Sequence, residues 1–228
     1  MLQSTGYTLE NRISQPLFFD LDGTLTDPKP GITRCIQHAL KSFDEPVPDA
    51  DELLWCIGPP LQQSFIKLLD EARAPKAVEL YRERFSTTGL YENAVYPGIP
   101  EVLESLRQTG AQLHVASSKP HVYVNRILEH FDLAQFFDGV FGAELDGVRS
   151  DKTDLLAHAL DQTGCSARHA TMIGDRHHDG IGARNNQMGF IGVLYGYGGE
   201  QELRDSGARN LAEHPDQLIR FCAAAVSG

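Results

Sequence analysis

Residues 17–30 read LFFDLDGTLTDPKP, and within them a run apolar enough for a buried strand ends on two aspartates. Residues 17–21 are short, apolar and bounded by turn residues, which predicts a strand. Asp20 and Asp22 are two residues apart, so in an extended chain both side chains project from one face at its carboxyl end. Burying carboxylates is costly unless another group pairs with them. The rest of the chain must therefore supply that partner.

Further short apolar runs predict the other strands of a sheet. They occupy residues 112–116, 139–142, 170–173 and 190–194. Helical patterns separate them after about residue 95, with Pro100, Pro120 and Asp151 at helix starts and Gly110 and Gly164 at helix ends. Alternating strands and helices are typical of a parallel sheet with crossover helices. The sequence therefore predicts an α/β fold with a doubly wound, Rossmann-like parallel sheet.

Residues 28–93 interrupt this alternation with consecutive helical patterns. Apolar residues recur on one helical face in GITRCIQHALKSF at residues 31–43 and in PLQQSFIKLLDEAR at residues 60–73. Turn-rich segments bound the block on both sides. We expect an all-helical cap domain at 28–93, inserted into a core formed by 1–27 and 94–228. An insert after the first strand lies above the strands' carboxyl ends, where such sheets bind ligands.

Composition narrows the classes of partner. The formal net charge of -11 opposes binding to nucleic acid, and no apolar run approaches the roughly 20 residues that cross a membrane. Residues 1–14 lack the basic and apolar features of a targeting segment. The cysteines, Cys35, Cys56, Cys165 and Cys222, show no C-x-x-C spacing and are expected to be reduced thiols. We expect a cytoplasmic protein that is a monomer or homodimer.

A second acidic pair lies in MIGDRHHDG at residues 172–180. Asp175 follows an apolar run, and Asp179 comes one helical turn later. Both could cap a helix, as Asp20 and Asp22 could cap a turn, but capping does not explain both pairs together. Converging carboxylates are relieved by a hard divalent cation that prefers oxygen ligands, and magnesium fits best. The imidazoles of residues 177 and 178 suit softer metals, although we expect them to be exposed in a loop.

Two further polar segments follow predicted strands or open helices. Ser117, Ser118 and Lys119 come directly after the run at 112–116, and Lys152 opens a helix. The Lys152 ammonium can neutralise neighbouring carboxylates, and it can also hold a phosphoryl oxygen as a point charge. These two roles are compatible.

Taken in order, these segments resemble the four motifs of the haloacid dehalogenase superfamily. The motifs are DLDGT at 20–24, a strand that ends in Ser117, Lys152, and GDRHHD at 174–179. The YPG at 96–98 resembles the phosphoglycolate phosphatase-like branch, which has a helical cap at this insertion point. Ser118, Gly180 and Gln187 depart from the residues that are usual in the family.

The resemblance implies phosphoryl transfer through an aspartyl phosphate. Asp20 is then the nucleophile, and Asp22 is the general acid and base. Mg²⁺ is held by Asp20, Asp175, Asp179 and the backbone carbonyl of Asp22. The expected contacts to the phosphorylated substrate come from Gly23, Thr24, Ser117, Ser118 and Lys152.

We therefore expect a Mg²⁺-dependent phosphatase for a small phosphomonoester, such as phosphoglycolate or a nucleoside 5′-monophosphate. Dehalogenases of this superfamily lack an acid two residues after the nucleophile, so Asp22 argues against that chemistry. A phosphomutase and a non-enzymatic phospho-acceptor switch remain alternatives. Candidates for recognising a second anionic group are the cap's basic residues, Arg34, Lys67, Arg73, Arg82 and Arg84. The turn at residues 58–60 could face the site, and Trp55 is expected to be in the core.

Overall fold

The computed structural model describes residues 15–225, where the chain forms a parallel sheet and a short antiparallel ribbon. The strands are β1 (Pro16–Phe19), β2 (Thr26–Asp27), β3 (Ala94–Val95), β4 (Gln112–Pro120), β5 (Gly139–Ala143), β6 (Thr171–Gly174), β7 (Gly189–Val193) and β8 (Asn210–Ala212). The α-helices are α1 (Lys29–Lys41), α2 (Leu61–Leu68), α3 (Ala74–Thr87), α4 (Ile99–Gln108), α5 (His121–His130), α6 (Lys152–Thr163), α7 (His177–Asn185), α8 (Glu200–Asp205) and α9 (Gln217–Ala225). Residues 1–14, to which the expectation about targeting features applies, and residues 226–228 lie outside this described part.

The parallel sheet has six strands in the order β5-β4-β1-β6-β7-β8. From β1 the chain runs outward through β4 to β5, then crosses back over β1 to β6. The direction of winding therefore reverses beside β1. The crevice outside the strands' carboxyl ends at such a reversal is where open α/β sheets bind ligands. The predicted doubly wound α/β fold is confirmed.

The predicted apolar runs all coincide with strands of this sheet, although some ends differ. The run at 17–21 stops being a strand at Phe19. The chain turns there, with the Leu25 amide donating to the Leu21 carbonyl at 2.9 Å and Gly23 at φ 80°. β8 is not predicted by the pattern, since its residues NLA form no distinct apolar run.

The two faces of the sheet pack on different helices. On one face, Leu17 and Phe19 of β1 join a buried cluster with apolar residues of α4, α5 and α9. On the other face, Phe18 packs in a cluster with apolar residues of α6 and α7. Full burial of such a side chain contributes about 1.5–3 kcal/mol. Both faces of β1 are therefore anchored, which fixes the position of the acidic residues that follow it.

The chain between β2 and β3 is helical, as the sequence predicts. It contains α1, the 3-10 helix Ala50–Cys56, α2 and α3. The predicted apolar face of α1 is buried against the rest of this block, including Ile36 and Leu40. β2 pairs with β3, Thr26 opposite Val95, so the two connections to the sheet run side by side. This element order agrees with a helical cap at 28–93, and that division stays a prediction.

One expectation for this block is wrong. Trp55 is not a core residue, because its side chain is 38% exposed. It lies in the 3-10 helix, and the Lys67 ammonium lies 5.4 Å from its ring centroid.

The cysteines are free thiols, as expected, and Cys165 is the one that is only partly buried. Among the helices within residues 15–225, none combines the length and hydrophobicity that crossing a bilayer requires.

Candidate active site

The register of three adjacent strands brings the predicted site residues to one edge of the sheet. Phe19 of β1 pairs with Val115 of β4 and with Ile173 of β6. Asp20 follows the first of these residues directly, and Ser117 and Asp175 come two residues after Val115 and Ile173. Parallel strands end at the same edge, so residues distant in sequence meet there.

Three carboxylates form an acidic triad at this edge. One oxygen from each of Asp20, Asp175 and Asp179 lies within 4.8 Å of the other two. The first two follow β1 and β6, and Asp179 lies in the first turn of α7. All three residues are buried. The sequence prediction that these aspartates converge is consistent with this geometry.

In two of the triad carboxylates, a backbone amide donates a hydrogen bond that holds one of the two oxygens. The Tyr197 amide donates to Asp175 Oδ2 at 2.8 Å, and the Arg176 amide donates to Asp179 Oδ2 at 3.1 Å. Asp175 Oδ1 is buried and has no hydrogen-bond partner. Burial, together with the charges of Asp179 and Asp20, raises the pKa of Asp175 well above its usual range. Within residues 15–225, one ammonium, that of Lys152, forms the salt bridges to this triad.

The triad fits a hard divalent cation. Its ligand atoms are all carboxylate oxygens, which are the ligands that Mg²⁺ and Ca²⁺ prefer. Softer transition metals prefer imidazole or thiolate ligands. Burial raises the pKa of Asp179 against the opposing effect of Lys152, and a bound cation reverses the sign of such shifts. The orphaned oxygen of Asp175 is also available as a ligand. The residues present therefore suit a metal ion of this class.

Lys152 is the positive charge closest to the triad. Its ammonium lies 3.1 Å from Asp20 Oδ1 and 2.8 Å from Asp179 Oδ1, and it donates to the Ala116 carbonyl at 2.8 Å. Burial lowers the pKa of Lys152, but the charges of Asp179 and Asp20 outweigh burial and raise it. The ammonium therefore stays protonated. Asp151 caps the helix below it by accepting from the Thr153 amide at 2.8 Å.

Asp22 has a different partner from the triad. Its Oδ2 lies 2.7 Å from the ammonium of Lys119, and both side chains are largely buried. Its Oδ1 is buried without a hydrogen-bond partner. Burial raises the pKa of Asp22, and the Lys119 ammonium opposes that increase. The two carboxylates, although only two residues apart in the sequence, therefore have separate environments.

The turn after Asp20 packs directly against the triad. Gly23 has φ 80°, and a Cβ there would lie 2.2 Å from Asp175 Oδ2, so a side chain at this position would displace the carboxylate. The amides of Gly23 and Thr24 donate to the carbonyls of Thr26 and Leu21 within the turn. Thr24 is fully buried, and its carbonyl accepts from the Tyr195 hydroxyl. Their predicted contacts to substrate stay a prediction.

A segment that the sequence analysis missed encloses the triad from the other side. Residues 195–199 read YGYGG and follow β7. A Cβ at Gly196 would lie 2.4 Å from the Asp175 Cβ. The sequence feature that indicates this contact is the alternation of tyrosine and glycine after a strand, because close approach of the backbone to another group requires glycine.

A cavity of about 660 Å³ opens above the triad. From the core it is lined by Asp20, Asp22, Ser117, Ser118, Lys119 and Lys152. Opposite them stands an apolar surface from the helical block, here called the cap wall, formed by Pro59, Leu61, Val78, Tyr81 and Phe85. The expectation that the turn at 58–60 faces the site is met. The helical block therefore closes over the strand ends.

Charged groups surround the outer part of the cavity. Glu79, Glu144 and Asp146 also line it and are here called the acidic rim. Of the basic cap residues considered from the sequence, Arg82 lines the cavity, and it donates to the Leu145 carbonyl at 2.8 Å. The other four, Arg34, Lys67, Arg73 and Arg84, are not among the lining residues.

Two residues of the GDRHHD segment also reach the cavity. Arg176 donates to the Ile57 carbonyl at 2.5 Å and to Glu202 at 2.9 Å, so it connects the sheet edge to the helical block. His178 lines the cavity, where burial lowers its pKa to about 4. The rings of His177 and His178 lie 3.9 Å apart. The expectation that both histidines are exposed in a loop is wrong, because they begin α7 and are partly buried.

Comparison with known proteins places these features in a family. A family model described as haloacid dehalogenase-like hydrolase matches residues 17–193. A 5′-nucleotidase from Pseudomonas aeruginosa is 52% identical over 82% of this chain and 86% of its own length. A phosphoglycolate phosphatase from Caulobacter vibrioides is 30% identical over 91% of this chain and 90% of its own length.

Further similar proteins include a relative with a different description and a solved structure. The tyrosine-protein kinase PtkA of Mycobacterium tuberculosis is 39% identical over 81% of this chain, which spans 63% of that relative. Among solved structures, a predicted phosphatase from Clostridium acetobutylicum superposes with a TM-score of 0.89 at 42% identity. The superposition covers 92% of this chain and 99% of that one.

Proposed function

This chain belongs to the haloacid dehalogenase-like hydrolase family, and we propose that it hydrolyses a nucleoside 5′-monophosphate through an aspartyl phosphate at Asp20. The resemblance inferred from the motifs is confirmed, and relatives named as a 5′-nucleotidase and as a phosphoglycolate phosphatase support the phosphatase activity. The observation that carries the proposal is the convergence of Asp20, Asp175 and Asp179 beside the Lys152 ammonium.

In the first step, an Asp20 carboxylate oxygen attacks phosphorus in line with the ester oxygen. The new bond joins Asp20 to phosphorus, the ester bond breaks, and Asp22 gives its proton to the departing alcohol. In the second step, Asp22 takes a proton from water, which attacks phosphorus and releases inorganic phosphate and the free Asp20 carboxylate. Burial supports this dual role, because it raises the pKa of Asp22 while Lys119 opposes the increase.

Three groups are proposed to hold the phosphoryl oxygens. Lys152 contributes a buried positive charge that already contacts Asp20, while Ser117 and Ser118 line the same cavity. Positive charge and donors aimed at a transferring phosphoryl group stabilise its charge as bonds are exchanged. The triad, with the Asp22 backbone carbonyl, is proposed to hold Mg²⁺. When bound, that ion neutralises negative charge between the nucleophile and the phosphoryl group.

The size and lining of the cavity favour a nucleoside over phosphoglycolate as the leaving group. The cavity of about 660 Å³ falls within the range of about 300–1,000 Å³ that is typical for drug-sized ligands. Its cap wall is apolar and includes the aromatic ring of Tyr81, which suits contact with a base. Glycolate would fill little of this space and gain little from the apolar wall.

Charge leads to the same choice of substrate. Phosphoglycolate carries a second anion, which needs an unpaired cation. Within residues 15–225, Lys152 is assigned to the phosphoryl group, and the other cations that line the cavity, Lys119, Arg82 and Arg176, already contact an acceptor. The acidic rim would repel a carboxylate, whereas its oxygens can accept from ribose hydroxyls and base amino groups.

We further propose that residues 28–93 form a cap over a core made by 1–27 and 94–228. The cap wall and the sheet edge lie on opposite sides of one cavity. Guanidinium groups of Arg82 and Arg176 each donate to a backbone carbonyl across the gap between the two parts. Such contacts favour a closed arrangement in which water is excluded from the reacting groups.

A panel of phosphorylated metabolites assayed with Mg²⁺ tests this function. We expect nucleoside 5′-monophosphates to have a higher kcat/KM than 2-phosphoglycolate, with release of inorganic phosphate. A preference for phosphoglycolate would contradict the proposed substrate and leave the phosphatase assignment intact. Transfer of the phosphoryl group to a second sugar phosphate, or from ATP to a tyrosine peptide, without hydrolysis would instead support a mutase or a kinase.

A further inference from the structure

The proposed chemistry leaves one buried cation at the sheet edge without a role. Lys152 serves the triad, whereas the Lys119 ammonium is directed to Asp22 at 2.7 Å. The Lys119 side chain is 8% exposed, and burying an ammonium is costly unless its partner is well placed. A lysine that only balanced surface charge would not require this burial.

The contact of Lys119 divides the two oxygens of Asp22. Oδ2 faces the ammonium, whereas Oδ1 is buried without a hydrogen-bond partner, and the residue as a whole lines the cavity. Buried polar atoms without partners are rare and call for a ligand or a reacting group. An oxygen that is held in place and still unpaired is what a proton donor to a departing alcohol needs.

The same ammonium also contacts the helical cap. Lys119 Nζ lies 4.7 Å from the centroid of the Phe85 ring, which is buried in α3. Phe85 stacks on Tyr81 of the same helix and meets Tyr123 of α5 edge-on, each at 5.3 Å. The cation therefore lies between the carboxylate of the core and an aromatic group of the cap.

We propose that Lys119 is a positioning residue that fixes Asp22 through Oδ2, leaves Oδ1 for proton transfer, and links this arrangement to the closed cap through Phe85. The inference rests on the proposed function, since it assigns Asp22 as the proton donor. Lys119 does not contact the transferred phosphoryl group in this role. Its loss should therefore affect substrates according to how much protonation their leaving group needs.

The test compares two substrates in wild type and Lys119→Met. A nucleoside leaves as an alcohol that needs a proton, whereas p-nitrophenolate leaves readily without one. Because kcat/KM reports the steps up to departure of the leaving group, we expect Lys119→Met to lower it about 100-fold for the nucleoside monophosphate. For p-nitrophenyl phosphate it should change by only a few-fold. Lys119→Arg, which keeps the charge, should restore much of the nucleotide activity.

Two further variants locate the effect. In an Asp22→Asn background, Lys119→Met should cause little additional loss, because residues that act through one another are not additive. Phe85→Leu should lower kcat/KM for the nucleotide about threefold to tenfold, the size of a buried cation–π contact. Thermal unfolding of each variant checks that it is folded. If Lys119→Met does not fold, Phe85→Leu and Lys119→Arg still test the proposal.

Several outcomes would overturn the inference. Equal losses for both substrates would assign Lys119 to phosphate binding or to structure. A change in KM for the nucleotide without a change in kcat would assign Lys119 to direct contact with the substrate. If Lys119→Met causes its full loss of activity in the Asp22→Asn background as well, Lys119 does not act through Asp22. Failure of the proposed function has a different signature, because the wild type would then hydrolyse no alkyl phosphate.

Discussion

The sheet edge and the cap contribute to the same cavity in different ways. The sheet edge supplies buried charges at fixed distances, with Asp20, Asp175 and Asp179 around one point and Lys152 beside them. The cap supplies mainly apolar surface, such as Val78 and Tyr81. Under the proposed function, this difference assigns the reaction chemistry to the sheet edge and the selection of the leaving group to the cap.

This comparison predicts that changes at the sheet edge abolish activity on every substrate. Asp20→Asn removes the proposed nucleophile and should lower kcat on the order of 10⁴-fold or more for nucleotide and p-nitrophenyl phosphate alike. Steady-state phosphate release measures it. Asp216→Asn, at an exposed aspartate of the core, should behave as wild type. If Asp20→Asn hydrolyses the same substrates at the wild-type rate, the nucleophile assignment is wrong.

Removal of the divalent metal should also abolish activity on every substrate. Chelation should abolish hydrolysis, and added Mg²⁺ should restore it. Mg²⁺ should also raise the thermal unfolding temperature by several degrees, because it binds the folded triad and relieves its repulsion. Asp175→Asn should lose most of this stabilisation. An unfolding temperature that responds to Mg²⁺ equally in both proteins would mean that the ion binds elsewhere.

Changes in the cap wall should alter substrate preference and leave the chemistry intact. Tyr81→Leu should lower kcat/KM for a nucleoside monophosphate about threefold to tenfold through loss of an aromatic contact, with little change for 2-phosphoglycolate. Parallel kinetics on the two substrates measure the ratio. Tyr91→Leu is a matched control, since Tyr91 is an exposed aromatic residue outside the cavity lining. An equal loss on both substrates would place Tyr81 in the common chemistry.

The contacts between the two parts should have the smallest effect. Arg82→Ala removes an exposed hydrogen bond to the Leu145 carbonyl and should lower kcat/KM about threefold, as expected for a contact of this strength. Arg34→Ala removes a cap ion pair that is distant from the cavity lining and should leave kcat/KM unchanged. A loss comparable to that of Asp20→Asn would show that Arg82 acts on the reacting groups.

The sequence predicts the sheet edge better than the cap for a physical reason. Asp20, Ser117 and Asp175 each follow a short apolar run, and parallel strands bring such positions together whatever the rest of the chain does. The cap residues that line the cavity lie on amphipathic helices, where periodicity identifies a buried face without saying what it faces. Arg82 could not be separated from the other basic cap residues in this way.

The sequence pattern also does not predict contacts between segments that are far apart in the chain. The pairing of Lys119 with Asp22 depends on how the end of β4 lies beside the turn that follows β1. The backbone of residues 195–199 reaches Asp175 because glycines allow close approach, and no local pattern identifies the group approached. Trp55 was expected in the core on hydrophobicity alone, and a short 3-10 helix leaves it partly exposed.

Detection of the phosphorylated protein tests most directly whether the sheet edge carries the chemistry. Wild-type protein is mixed with a nucleoside 5′-monophosphate and Mg²⁺, quenched in acid during turnover, and analysed by intact and peptide mass spectrometry. We predict one phosphoryl group per chain, located on Asp20, absent without Mg²⁺ and absent in Asp20→Asn. A phosphoryl group on another residue, or the same modification in Asp20→Asn, would contradict the account.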